Sequence, residues 1–292
     1  MKVVITGGTS GIGKALVRKF VAQGDDVFVL ARSIENSTQN HILRNEWIEE
    51  KKIADKNEAT EIDTALENLN KVDVLGIKCD IANKEEIQKA FALVSEKFGE
   101  VDILVNNAGY GVSGATELVS ESECRKIFDV NFFGSLFCMQ EALPMMKSGS
   151  KIVNISSACA IFALPFRTLY CASKAATSML SHSIRLELKN SGIEVFAICP
   201  GDIKTNFTKN RVKNFQTNIR YGDRIEKATN KIDSREDKRM TLDFASSKIF
   251  KIIMKKKHKA QYIIGGKYKA LYFAQKIFPI NLVLNATNKL MG

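Results

Sequence analysis

Short apolar runs alternate with stretches of helical period from the first residues onward. Val3-Val4-Ile5 and Val27-Phe28-Val29-Leu30 read as buried strands; between them Lys14 to Gln23 carries Ala15, Leu16 and Phe20 on one helical face. The same pattern predicts strands at Val74–Lys78, Ile103–Val105, Ile152–Ile155, Val195–Ile198 and Tyr262–Ile264. Continuous apolar runs separated by helices indicate parallel strands covered on both faces. The expected fold class is α/β, a doubly wound parallel sheet with helices on both sides, occupying nearly the whole chain.

Three stretches depart from the simple repeat. Ser33 to Asp73 is long and polar, with apolar positions at Leu43, Trp47, Ile62, Leu66 and Leu69, and reads as an extended or broken helix outside the sheet. Lys204 to Arg239 holds 11 Lys/Arg and few apolar residues and follows a strand end. Loops at the carboxyl ends of strands surround the ligand crevice in such sheets, so the region 201–240 is a candidate lid. After the last strand, Tyr268 to Phe278 reads as an amphipathic helix stopped by Pro279, and Leu282-Val283-Leu284 is a further apolar run. The expected division is a cofactor-binding and catalytic domain over 1–266 and a helical extension over 267–292.

Charge sharpens this picture. The 292 residues carry a formal +11, but residues 1–200 hold 22 basic and 25 acidic side chains, whereas 201–292 hold 21 and 7. The excess lies wholly in the last third, which argues against the uniform basic coat of a general nucleic-acid binder. Six scattered cysteines without a CxxC pair read as reduced and mostly buried, and with the first strand beginning at Lys2 no export segment is expected. Three separated histidines offer no zinc-ligand spacing, so no metal is expected. No window approaches the ~18 apolar residues of a membrane-spanning helix. A cytoplasmic protein, at most peripheral to a membrane surface, is expected.

Candidate chemistry begins at Thr6-Gly7-Gly8-Thr9-Ser10-Gly11-Ile12-Gly13, between the first strand and first helix. Glycines there let the backbone turn sharply and approach a pyrophosphate at a helix N-terminus, although the spacing is G-x3-G-x-G rather than GxGxxG. Arg32 stands two residues past Leu30, and residues 30–34 contain no carboxylate. An acidic residue there meets a free ribose 2′-hydroxyl and an arginine meets a 2′-phosphate, so NADP(H) is expected over NAD(H), with Ser33 and Ser10 assisting. The alternative is a solvated surface arginine. Tyr170 and Lys174, four apart on a helical run, share one face, where an ammonium favours the phenolate. Ser157 closes the strand thirteen residues before Tyr170.

In order and spacing these residues resemble the short-chain dehydrogenase/reductase family, which keeps cofactor and active site in one Rossmann-type domain. The resemblance runs from Lys2 to about Thr205: the TGxxxGxG turn at Thr6–Gly13, Asp80, Asn106-Asn107-Ala108-Gly109, Asn131, Ser157, Tyr170-x-x-x-Lys174, and Pro200-Gly201 with Thr205. It implies Tyr170 as general acid/base, Ser157 as hydrogen-bond donor to the substrate oxygen, and Lys174 as ligand of the nicotinamide ribose that depresses the Tyr170 pKa. It implies that Asn131 anchors a water leading from Lys174 to solvent. Asp80 and Ile81 would border the adenine, Asn107, Ala108 and Gly109 would line the cleft, and Ile203 and Thr205, after Pro200-Gly201, would meet the nicotinamide amide. Ala160 departs from the glycine common in the family three residues after the serine.

The substrate is less legible. Ala160-Ile161-Phe162-Ala163-Leu164-Pro165-Phe166 lies between Ser157 and Tyr170, and an apolar lining there favours a lipophilic alcohol or ketone such as a steroid, retinoid or lipid-like ketone. Core or dimer packing of Phe162 and Leu164 is the alternative. A 3-oxoacyl thioester is the second substrate class, and a non-catalytic NADP(H)-binding regulator is the reading from another class. The family resemblance implies a homodimer through the helices near Cys124–Met146 and Thr168–Asn190. The basic, aromatic tail is expected to cap the cleft or an interface, with peripheral membrane contact as its other reading.

Overall fold

The computed structural model describes residues 1–34, 37–38, 40–207, 210–234 and 239–291. Its strands are β1 (Lys2–Thr6), β2 (Asp26–Ala31), β3 (Ser37–Thr38), β4 (Val74–Lys78), β5 (Ile103–Asn106), β6 (Val112–Ser113), β7 (Lys151–Ile155), β8 (Glu194–Pro200), β9 (Val212–Lys213) and β10 (Gln261–Ile264). The helices are α1 (Gly11–Gln23), α2 (Asn40–Lys51), α3 (Lys56–Asn68), α4 (Lys84–Phe98), α5 (Glu121–Phe128), α6 (Gly134–Ala142), α7 (Thr168–Glu187), α8 (Arg224–Asp233), α9 (Leu242–Ile253), α10 (Gly266–Ile277) and α11 (Ile280–Met291). The main sheet runs β10-β8-β7-β5-β1-β2-β4-β3. All pairings are parallel except that of β3, which lies antiparallel on β4 at the edge. Chain order reverses between β1 and β5, the switch point at which doubly wound sheets open a crevice.

All seven strands expected from the pattern are present, and together they form the doubly wound sheet. Two short pairings were not predicted: β3 on β4, and the separate parallel pair β6–β9. Two-residue strands carry no period, and their partners are distant in sequence, so only the folded register creates them.

The alternation within each strand explains the continuous apolar runs. On β1, Val3 and Ile5 pack with Leu16, Phe20, Trp47, Ile62 and Ile249 in one core layer, on the side covered by α1, α3 and α9. Val4 packs with Phe28, Phe91, Leu104, Met139 and Ile184 in the other, under α4, α6 and α7. A strand buried on both faces has no polar face to show.

Within the 33–73 excursion Ser37–Thr38 joins the sheet edge as β3, and α2 and α3 then lie outside the sheet, broken at residues 52–55, where Asp55 caps α3 through the amides of Asn57 and Glu58. Its largest apolar anchor among the described residues is Trp47, fully buried beside α1 together with Ile62 and Ala65 of α3. Around it Arg18 of α1 donates to Glu50, Glu58 and Glu61 at 3.1, 2.7 and 2.9 Å. Lys14 pairs with Glu46 and Glu50 at 2.7 and 2.8 Å, and Lys19 with Glu61. Among the described residues, no helix is long and apolar enough to cross a membrane.

Candidate active site and its cavity

The carboxyl ends of the central strands converge on one cavity of about 830 Å³. After β1 comes the Gly-rich turn, after β2 Arg32 and Ser33, after β4 Cys79 to Ile81, after β5 Asn107 to Tyr110. After β7 come Ser156 and Ser157, and after β8 Gly201 to Ile203. From across the opening, α7 presents Tyr170 and Lys174, and the segment after β8 brings Asn206, Phe207, Asn210, Arg211 and Val212.

The turn is tightly built. Gly7 takes φ +67°, and a side chain at Gly13 would place its Cβ 2.3 Å from the Gly7 carbonyl and 2.5 Å from Asn107 Nδ2. Asn107 Nδ2 donates to the carbonyls of Thr6 and Gly7 at 3.0 and 3.1 Å. The amides of Asn107 and Ala108 both donate to Thr6 Oγ1 at 3.0 Å. Thr6 and Gly13, expected at the cofactor, thus lie behind the turn and not on the cavity wall; close packing of β1 against β5 turns them inward. Gly7, Thr9, Ser10, Gly11 and Ile12 do line it.

Ser10 occupies the N-cap of α1, yet its hydroxyl caps nothing and the first turn holds no acidic residue. The caps of α3, α4, α5 and α9, by contrast, accept backbone hydrogen bonds. The free N–H groups and positive end of α1 therefore face the cavity, a donor set that fits a dinucleotide diphosphate. Arg32 and Ser33 are exposed at the rim beyond β2. Asp80 lines the wall, its Oδ1 accepting from the Ala82 amide at 3.0 Å, with Ile81 next to it.

At the other end, Tyr170 is buried. Burial raises its phenol well above the ordinary range, while Arg167 and Ser157 pull the other way. Lys174 is buried one helical turn on, its Nζ donating to the Ile155 carbonyl at 2.9 Å. Burial draws its ammonium down to about 8. The cation resting on the phenol is thus Arg167 of the same helix start, its Cζ 5.1 Å from the Tyr170 ring. Ser157 Oγ accepts the Cys159 amide at 3.1 Å and faces the cavity.

Asn131 lies in a π-helical turn, Asp129–Phe133, between α5 and α6. Such turns widen the backbone locally and often occur at functional sites. Its Oδ1 accepts the Tyr110 amide, and its Nδ2 donates to the Tyr110 carbonyl and Ser173 Oγ, each at 3.0 Å. Asn131 therefore stands behind the wall and fixes the loop that carries Gly109 and Tyr110. Pro200, Gly201, Ile203 and Thr205 line the cavity, Ile203 being held by a bridge to Met240.

Several wall residues were not anticipated. Of the apolar segment 160–166, no residue lines the cavity; its neighbours Cys159 and Arg167 do. Tyr268 of α10 lies flat on Gly201, where an added Cβ would sit 2.0 Å from the ring, and donates to Asp202 Oδ2 at 2.6 Å. Behind the site, Asn154 links Asn106 and Ser181 at 2.8 Å each, and Ser178 donates to Ser156 Oγ at 2.8 Å. An asparagine in a strand gives no pattern signal for such a network.

Comparison with known proteins agrees with the geometry. The family model for short chain dehydrogenases matches residues 1–54 and 50–216. A probable short-chain type dehydrogenase/reductase of Helicobacter pylori, VdlC, is 31% identical over 280 residues, covering 94% of this chain and 92% of its own. The 3-ketodihydrosphingosine reductase of Bacteroides thetaiotaomicron is 31% identical over 211 residues, covering 72% of this chain and 66% of its own. A crystal structure of a short-chain dehydrogenase from Streptomyces avermitilis superposes with a TM-score of 0.73 at 24% identity, covering 99% of this chain and 98% of that one. A chain that shares this model across its sheet, and a relative over nearly its whole length, belongs to the short-chain dehydrogenase/reductase family of nicotinamide-dependent oxidoreductases.

Proposed function

We propose that the protein is an NADP(H)-dependent enzyme interconverting a carbonyl and a primary or secondary alcohol, with Tyr170 as general acid/base. The observation that carries this reading is the meeting of Tyr170, Ser157 and Lys174 on the wall of a cavity that begins at the Gly-rich turn. Arg32, with no acidic residue beside it at the end of β2, supports the 2′-phosphate; its planar fork of donors suits a phosphate.

When bound, the nicotinamide supplies or accepts the hydride. Tyr170, its phenol kept protonated by burial, gives its proton to the substrate oxygen as charge develops there. Ser157 donates a hydrogen bond to the same oxygen and holds the carbonyl in place. Lys174, with a lowered proton affinity, binds the ribose and exchanges the proton that Tyr170 loses. Asn107 and Asn131 position the two loops that flank these groups.

Tyr110, Phe207 and Val212 give the substrate end an apolar side, in keeping with a lipophilic carbonyl compound, and the sphingoid reductase among the relatives supports this. A homodimer through α6 and α7 is supported by exposed Phe133 just before α6 and exposed Met179 and Leu186 on α7. The tail reaches the cleft rim through Tyr268 at Gly201 and Asp202, and is held on the neighbouring loop by Gln275, which donates to the Ile161 carbonyl at 3.2 Å. Its outer side carries exposed Phe273, Ile277, Phe278, Ile280 and Leu282, the surface for peripheral membrane contact.

NADPH oxidation against steroids, retinoids, long-chain ketones and β-ketoacyl thioesters tests the reading, with Tyr170→Phe as the control. Turnover by the parent and its loss in Tyr170→Phe, with NADPH binding retained, are expected. More than a few per cent of residual activity in the variant would overturn the role of Tyr170. NADPH binding without turnover of any substrate would instead mark a regulator.

A further inference from the structure

Among the described residues, the cavity wall carries six cationic side chains, Arg32, Lys126, Arg167, Lys174, Arg211 and Arg239, against the two carboxylates Asp80 and Asp202. Arg32 belongs to the nucleotide end, and Lys174, which donates to the Ile155 carbonyl, serves the ribose in the proposed reaction. Arg167 is different. It is only 6% exposed, yet its guanidinium makes no hydrogen bond and no ion pair within 4.0 Å to any described residue, and its Nε is buried without a partner. Its Cζ lies over the Tyr170 ring, 5.1 Å from its centre.

A buried guanidinium is always charged, and its donors are costly to leave unmatched. The neighbouring groups do not match them. The Cys159 thiol, drawn down to about 6 by Cys171 and by Arg167 itself, is a nearby negative charge but accepts no hydrogen bond from the guanidinium, nor does Cys171; the Tyr170 phenol is held protonated by burial, and Asp202, outside ion-pair range, accepts from Tyr268. Its position is also fixed. Arg167 is the N-cap residue of α7, and the residue before it, Phe166, is held at φ +58°, its carbonyl accepting the Gly114 amide at 2.9 Å. The cavity beside Tyr170 thus contains a preset planar donor that lacks an acceptor. Arg211, 4% exposed just before β9, lines the same cavity.

We propose that Arg167 makes the reaction-centre end of the cavity an anion receptor, so that the substrate carries a carboxylate or sulfonate near its reacting carbon. This rests on the oxidoreductase reading and names the substrate class within it: an amphiphile with an apolar body and an anionic group about two to four carbons from the carbonyl, a span matched to the 5.1 Å between the Arg167 Cζ and the Tyr170 ring centre. A planar oxyanion takes two parallel hydrogen bonds from the guanidinium and holds the carbonyl in register with Tyr170 and Ser157.

The test is a matched series with NADPH and the full-length protein: 4-oxopentanoate, 5-oxohexanoate and 6-oxoheptanoate, each beside its methyl ester. The acid is expected to exceed its ester by about tenfold or more in kcat/KM, chiefly through KM. Arg167→Met should bring that ratio to about one, and Arg167→Lys should restore part of it. The ratio within one variant cancels any common loss from the disturbed Tyr170 contact.

A measurement without turnover accompanies it. Ethanesulfonate and acetate are titrated calorimetrically into the NADP⁺-loaded protein, where saturable binding that vanishes in Arg167→Met is expected. If that variant fails to bind NADPH, Arg167→Lys and the parent protein still decide. Equal kcat/KM for acid and ester, or an acid preference unchanged in Arg167→Met, overturns the receptor, as does a parallel loss on both substrates. If none of the series is turned over while the sulfonate binds through Arg167, the receptor stands and the catalytic reading falls. If esters are reduced as well as acids and no anion binds, the catalytic reading stands and the receptor falls.

Discussion

Replacing Lys174 by methionine is expected to make the protein more stable while abolishing its activity. The ammonium is buried against the end of β7, and burial holds it at about 8 instead of its ordinary 10.5. At about 1.4 kcal/mol per tenfold change in proton affinity, keeping it charged in the fold at pH 7 costs about 3 kcal/mol. Methionine fills a similar volume without that cost but forfeits the hydrogen bond to the Ile155 carbonyl, worth about 1 kcal/mol. The net gain is about 2 kcal/mol at pH 7.

The sign of the pH dependence provides the sharper test. A lysine whose proton affinity is lowered by folding binds fewer protons folded than unfolded. The parent protein therefore gains stability as pH rises from about 8 towards 10.5, and the advantage of Lys174→Met shrinks over that window. Urea unfolding of both proteins at pH 7, 8, 9 and 10, followed by far-ultraviolet circular dichroism, measures the difference directly. A variant less stable than its parent at pH 7, with a gap that does not move with pH, would refute the assignment of a strained buried cation.

Arg32→Asp is expected to lower kcat/KM for NADPH by at least about tenfold and to raise the relative use of NADH, because a carboxylate repels the 2′-phosphate and accepts from a 2′-hydroxyl; an unchanged cofactor ratio in steady-state kinetics would reduce Arg32 to a surface residue. Gly13→Ala drives a methyl group into the Gly7 carbonyl and the Asn107 brace, and should cost about 3 kcal/mol together with most NADPH binding, read by urea midpoint and cofactor fluorescence. Tyr268→Ala removes the ring from Gly201 and the hydrogen bond to Asp202, and should lower stability by about 2 kcal/mol and raise substrate KM; an unaltered KM would separate the tail from the cleft. Liposome flotation with and without residues 267–292 checks the outer face of the tail, since equal partitioning would exclude it as the membrane contact.

The amino-acid sequence by itself determined the layered architecture. Runs such as Val3-Val4-Ile5 and Val27 to Leu30 are apolar at every position because both sides of the sheet are covered, a local property that any reading of period detects. It also determined which residues stand near strand ends, and hence most of the cavity wall: Gly7, Thr9 to Ile12, Arg32, Asp80, Asn107 to Gly109, Ser157 and Gly201 all come shortly after a strand. Tyr170 and Lys174 were legible for the same reason, since four residues make about one helical turn.

Only the tertiary structure decided which side each of these residues shows. Thr6, Gly13 and Asn131 belong to the same motifs as their neighbours, yet packing of β1 on β5 and the wide turn before α6 set them behind the wall as braces. The apolar segment 160–166 gave way at the cavity to Cys159 and Arg167, because the fold turns this loop outward and brings back only its two ends. Tyr268, 67 residues beyond Gly201, reaches the rim because β10 pairs in register beside β8 and aims α10 across the strand ends. Period and spacing register what lies within a turn or a strand; burial, charge balance and contact between distant segments arise when the chain closes on itself, and these leave Arg167 buried over the Tyr170 ring with no hydrogen-bond or ion-pair partner among the described residues.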